Sequence, residues 1–227
     1  MTRAVRALVT GGTGRVGTAI VHRLEADGAR VVAAGRRDGD LARPHEARAL
    51  VERAAAELGG LDLLVYAAGI MHLPAEGEYD FARDRAEIEV NLVGAMAWTT
   101  PVAALFEARR SGTIVGISSI AGERGRRTFP AYSTSKAGLT TWLEALRNRA
   151  ARSGVNVVTV KPGFVDTAMT AALTRKPMVI PVERAAALIL AAARRGGSPS
   201  VFIPGTWWPV AMVLRHLPSF VFRRLDL

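Results

Sequence analysis

Short apolar runs and amphipathic stretches alternate along this chain from its start. Residues 7–10 form an apolar run of strand length, and Val16, Ala19, Ile20 and Leu24 then recur at helical spacing until Asp27-Gly28 stops them. Residues 31–34 form the next strand. Pro44 opens a helix with Ala47, Leu50, Val51, Ala54 and Leu58 on its apolar face, and Gly59-Gly60 closes it before the strand in LDLLVYAAG. The same order predicts a helical stretch over residues 81–109, a strand over 113–118 after the turn at Ser111-Gly112, and a helix over 132–152. Residues 155–160 are mostly β-branched, as in a parallel strand buried on both faces. A helix over 182–195 and a last strand from Val201 complete the pattern. Such alternation specifies βαβ units. It predicts an α/β fold, a doubly wound parallel sheet of about seven strands with helices on both faces, in one domain spanning residues 1–227.

Composition narrows the function. The 227 residues are 49% apolar, enough for one substantial core. The absence of cysteine excludes disulfides and thiolate chemistry and removes any need for an oxidising compartment. The apolar run behind Arg3 and Arg6 is too short for a signal-peptide core, so a cytoplasmic protein is expected. The net charge is +10, but the arginines are scattered rather than interleaved with aromatic residues, which argues against nucleic acid as partner. His22, His45, His72 and His216 lie far apart without metal-ligand spacing, and no metal is expected.

Directly after the first strand comes Thr10-Gly11-Gly12-Thr13-Gly14-Arg15-Val16-Gly17, which runs into the first helix. In that context glycines allow a tight turn and close approach of a pyrophosphate to free amides at a helix terminus, the phosphate-binding device of Rossmann folds. Gly11, Thr13, Gly14, Arg15, Val16 and Gly17 are therefore candidate cofactor residues. The second strand ends Ala33-Ala34-Gly35-Arg36-Arg37, with no carboxylate for the ribose hydroxyls of NADH. A guanidinium there pairs instead with a 2′-phosphate, so NADPH is expected over NADH, with Arg36 and Arg37 as its readers. The alternative leaves both as surface charges. Asp40 and Leu41 follow so closely that the usual helix is missing, and they are candidates for the adenine side.

Tyr132 and Lys136 stand four residues apart, on one face of a helix. A phenol is a poor acid–base catalyst at neutral pH, and a nearby ammonium is expected to bring its pKa down. Ser119 ends a parallel strand at the edge where open α/β sheets place ligands, ready to hold a substrate oxygen.

The glycine turn, Ala67-Ala68-Gly69, Asn91, the ISS ending at Ser119, the YSTSK from Tyr132 and Lys161-Pro162-Gly163 with Thr167 occur in one order, and in it the chain resembles the short-chain dehydrogenase/reductase family over nearly its whole length. That resemblance implies a ketone reduction or alcohol oxidation in which Tyr132 exchanges the proton, Ser119 orients the carbonyl, Lys136 also binds the nicotinamide ribose, and Asn91 holds a relay water. It further implies that Ala67, Ala68, Gly69, Pro162, Gly163, Val165 and Thr167 contact the dinucleotide, and that the protein is a homodimer or homotetramer. Three departures stand out. The glycine spacing follows the TGxxGxxG of extended members, Tyr66 and Ala67 replace two asparagines, and a helix is missing after Arg37. An epimerase or dehydratase with a retained cofactor, and a sensor that binds NADPH without turnover, remain alternatives.

Residues 206–227 mix Trp207, Trp208, Val210, Val213, Leu214 and Phe220 with Arg215, Arg223 and Arg224. They either pack on the core or a subunit, or lie at an anionic membrane surface as a peripheral contact. The loop Gly122-Glu123-Arg124-Gly125-Arg126-Arg127, between Ser119 and Tyr132, is either a solvated basic loop or the wall of a pocket for an anionic or lipid-linked substrate.

Overall fold

The computed structural model describes residues 3–35, 44–75, 77–195 and 200–225. Strands β1 (Arg6–Thr10), β2 (Arg30–Ala34), β3 (Leu63–Tyr66), β4 (Gly112–Ile117), β5 (Val155–Pro162) and β6 (Ser200–Ile203) form one sheet in the order β2-β1-β3-β4-β5-β6. All five pairings are parallel. The described residues thus hold six strands where about seven were expected, and the six are those the apolar runs located. The helix α2 (Ala47–Leu58) precedes β3.

Successive strand residues point to opposite faces, and both faces are covered. On one side Leu8, Leu64, Ile114 and Val157 pack with residues of α2, α4 (Gly94–Arg109) and α5 (Pro130–Ala150), among them Phe106 and Leu143. On the other side Val9, Val65, Val115 and Val158 meet Ile20 and Leu24 of α1 (Arg15–Ala26) and Ile189 of α7 (Val182–Arg195). The chain winds from β1 outward to β2 and from β3 outward to β6. The switch between β1 and β3 opens a crevice at the carboxyl edge of the sheet, where such folds bind ligands.

The predicted long helix runs without interruption from Phe81 to Arg109, but not as one regular helix. Asp80 caps α3 (Phe81–Ile88) by accepting from the amide of Ala82 at 2.9 Å, and a π turn over Glu89–Val93 joins it to α4. Asn91 sits inside that turn, a distortion frequent at functional sites.

The carboxyl-terminal stretch folds back on the chain. After a short helix α6 (Ala168–Ala171), α7 and β6 come α8 (Trp207–His216) and α9 (Ser219–Phe222). Trp207 and Ala211 are buried with Ile120 and Phe202. The Arg124 guanidinium holds the end of α8, donating to the carbonyls of Arg215 at 3.1 Å and Leu217 at 2.6 Å and to Ser219 Oγ, while lying 4.8 Å over the Phe222 ring. Trp208, Val213 and Phe220 stay exposed.

Candidate active site

Pro130 starts α5 two residues before Tyr132, where a fixed φ and a missing N–H suit a helix start. Tyr132 and Lys136 then share one face. The Lys136 ammonium lies 5.6 Å from the centre of the Tyr132 ring and donates to the Ile117 carbonyl at 3.0 Å. Ser119, just past the end of β4, accepts from the amide of Ala121 at 3.1 Å and stands close enough to Tyr132 to lower the phenol's pKa. Its neighbour Ser118 is committed elsewhere, donating to the Lys136 carbonyl and pairing with Thr140 at 2.8 Å, so it ties β4 to α5.

Burial pushes the Tyr132 phenol up to about 12; Ser119 and the Arg126 charge pull it down, while the Glu87 charge adds to the rise. Burial lowers Lys136 to about 8, with Glu87 opposing the shift. The expected lowering of the phenol by the lysine is therefore not what the structure gives. Lys136 lies against the ring and is itself stripped of water, so desolvation outweighs its pull. Glu87 is buried on α3, accepts from the amide of His72 and lies 3.3 Å from His72 Nδ1; burial raises its pKa.

Asn91 is completely buried, and its side chain clasps the loop after β3. Its Oδ1 accepts from the amide of Ile70 at 2.8 Å, and its amide hydrogens go to the Ile70 carbonyl at 2.9 Å and Ser135 Oγ at 3.0 Å. With both donors spent, the side chain has only acceptor capacity left for a water. Tyr66, in place of an asparagine, is buried and donates to the Val90 carbonyl at 2.6 Å, tying β3 to the π turn.

A cavity of about 120 Å³ opens beside Tyr132 and Lys136. Val16, Ala67, Ala68 and Gly69 line it on one side, Tyr132 and Lys136 on another, and Pro162, Gly163, Val165 and Thr167 close it. Thr13 and Arg15 look instead into a wider cleft between α1 and α7, shared with Thr18, His22 and Glu183. The glycine turn fits a dinucleotide phosphate. A Cβ at Gly11 would stand 2.7 Å from Ala68, one at Gly17 would stand 2.1 Å from the Gly11 carbonyl oxygen, and Gly14 caps α1 without a side chain or a first-turn acid to occupy the amides. Arg36, Arg37, Asp40 and Leu41 lie outside the described residues.

Sequence reasoning passed over Glu87 and Phe129. Glu87 stands four residues before Asn91, hence on the same helix face, a spacing that marks it. Trp207 is pressed so tightly on Gly163 that any Cβ there would overlap its indole.

Fold and site together define an oxidoreductase that works on alcohols and ketones. A family profile described as short chain dehydrogenase matches residues 37–177, and the chain belongs to that family. An uncharacterized oxidoreductase of Mycobacterium tuberculosis H37Rv is 32% identical over 99% of this chain and 98% of its own. An acetoacetyl-CoA reductase of Allochromatium vinosum is 33% identical over 90% of this chain and 96% of its own. A short chain dehydrogenase from Burkholderia cenocepacia J2315, solved in complex with NADP, superposes with a TM-score of 0.84 at 27% identity over 97% of both chains.

Proposed function

We propose that the protein reduces a ketone to a secondary alcohol with NADPH, Tyr132 delivering the proton to the carbonyl oxygen. The observation that carries this reading is the close set of Ser119, Tyr132 and Lys136, the last two lining a cavity whose other walls are Ala67–Gly69 and Pro162, Gly163, Val165 and Thr167. When bound, the nicotinamide supplies the hydride. Ser119 and Tyr132 hold the carbonyl oxygen by hydrogen bonds that strengthen as negative charge grows on it. The phenol then gives up its proton, and the resulting phenolate, beside Lys136, is refilled from solvent. With its pKa raised by burial, the phenol carries its proton at neutral pH, as a proton donor to the carbonyl must.

NADPH is supported by the missing carboxylate after β2, by Arg36 and Arg37, and by the NADP of the Burkholderia relative. The cofactor would be held by Gly11, Gly14 and Gly17 and by the walls of the cavity. The lack of cysteine supports a cytoplasmic site of action. The half-exposed Val93 and Met96 at the start of α4 support a homodimer or homotetramer. Trp208, Val213 and Phe220, with Arg223 and Arg224 alongside, support a peripheral membrane contact.

The test is NADPH consumption with a ketone panel. Tyr132→Phe is expected to abolish it while leaving NADPH binding intact; activity that survives the substitution overturns the mechanism.

A further inference from the structure

The loop between Ser119 and Tyr132 carries four charged residues, and the structure gives partners to three of them. Glu123 takes Lys161 and Arg215, Arg124 holds the end of α8, and Arg127 is also engaged. Arg126 alone has no hydrogen bond or ion pair among the described residues. Its guanidinium lies 5.6 Å over the ring of Phe129, and the Phe129 ring meets that of Tyr132 edge-on, with centroids 5.9 Å apart and planes at 83°. Arg126 is half-buried against that aromatic face, and its guanidinium N–H donors are engaged by no group among the described residues and stay open to a ligand or to water. A cation partly withdrawn from water with no counter-ion beside it gains more from an anionic ligand than a fully solvated one does.

The neighbouring charges give the pocket a direction. Glu87 and Arg126 act on the Tyr132 phenol with opposite sign. An anionic group is repelled from the Glu87 side and drawn to Arg126. Arginine presents a planar fork that matches carboxylate and phosphate oxygens.

We propose that Arg126 binds an oxyanion of the substrate, so that the ketone reduced at Tyr132 carries a carboxylate or a phosphate near its carbonyl. This rests on the ketone-reductase reading and names the substrate class of that same site.

The test uses matched pairs that differ in charge. These are 3-oxobutanoate against its methyl ester, and hydroxyacetone phosphate against hydroxyacetone, with wild type, Arg126→Ala and Arg126→Lys. Binding is read separately by the change in NADPH fluorescence when 3-hydroxybutanoate, its methyl ester or inorganic phosphate is added. Wild type is expected to prefer the charged member of one pair by about 10-fold or more in kcat/KM, and the pair that shows it tells carboxylate from phosphate. Arg126→Ala should cut kcat/KM on that member by about 10- to 100-fold, chiefly through KM, leave its neutral partner within about 2-fold, and leave NADPH affinity unchanged; Arg126→Lys should restore part of the loss. Equal loss on both members, or no preference for charge in wild type, overturns the proposal. Ketone reduction without charge preference sinks this inference alone. Arg126-dependent anion binding without reduction of any ketone keeps it and sinks the reductase reading.

Discussion

Lys161, at the carboxyl end of β5, donates to Glu123 Oε1 at 2.6 Å, and the two side chains are only 3% and 1% exposed. Arg215 of α8 reaches the other carboxylate oxygen, so one buried carboxylate ties the loop after Ser119 to β5 and to the tail. Removing one partner of such a pair leaves an uncompensated buried charge, which costs about 3–5 kcal/mol. Glu123→Gln is therefore expected to lower Tm by roughly 10 °C and to make the chain beyond Ile203 the first site of limited proteolysis. The double variant Glu123→Leu/Lys161→Met, which removes both charges, should regain much of the loss. Calorimetry on the three proteins checks this, and a Glu123→Gln protein as stable as wild type contradicts it.

The glycines of the phosphate turn are unequal. A Cβ at Gly17 would stand 2.1 Å from the Gly11 carbonyl oxygen, a backbone atom that cannot move aside, whereas one at Gly14 would meet that oxygen at 3.3 Å. Gly14 also has an ordinary extended backbone, with φ −81° and ψ 158°. Gly17→Ala is expected to abolish NADPH binding and lower stability, and Gly14→Ala to change NADPH affinity by less than about tenfold. Fluorescence titration with NADPH separates the two.

How far these features could be read beforehand depended on whether they were local. The strands were visible because a parallel strand buried on both faces is a continuous apolar run, as in residues 155–160. Tyr132 and Lys136 were visible because their spacing alone sets a common helix face. The π turn at Asn91 was not, since it accompanies contacts to Ile70 and Ser135 that no periodicity records. Nor was the fate of the tail. Trp207 and Trp208 are the same residue type in sequence, and only the fit of one against Gly163 decides which turns inward. Glu87 read as one more charge on a helix that shows many. The three arginines of the loop looked alike until Arg124 was spent on α8.

Far from the site, Asp62 gathers Arg6 at 2.9 Å and Arg3 at 2.7 Å, and the hydrogen bond from Arg6 lowers its pKa to about 2 from 3.8. A carboxyl with a depressed folded-state pKa stabilises fully above its unfolded value. That stability is lost as pH falls through the folded one. The Tm gap between wild type and Asp62→Asn should be constant near neutrality, narrow below about pH 4 and close near pH 2. Melts from pH 7 to pH 2 read it directly, and a gap independent of pH would refute the ion-pair origin.

Lys136 has the opposite sign. Burial lowers it to about 8 from 10.5, so between those values the unfolded chain binds more protons than the folded one and stability rises with pH. Below pH 8 the folded protein bears the whole cost of a desolvated ammonium, partly offset by the hydrogen bond to Ile117. Lys136→Met removes the charge and keeps most of the volume. The variant should melt several degrees above wild type at pH 7, with the advantage gone by about pH 10.5, and it should have lost NADPH-linked reduction. In wild type, reduction should fall as pH rises through about 8, where the ammonium behind Tyr132 gives up its proton. A Lys136→Met protein less stable than wild type at pH 7 would mean that the Ile117 contact outweighs desolvation, and that the lysine is kept for the fold as well as for the reaction.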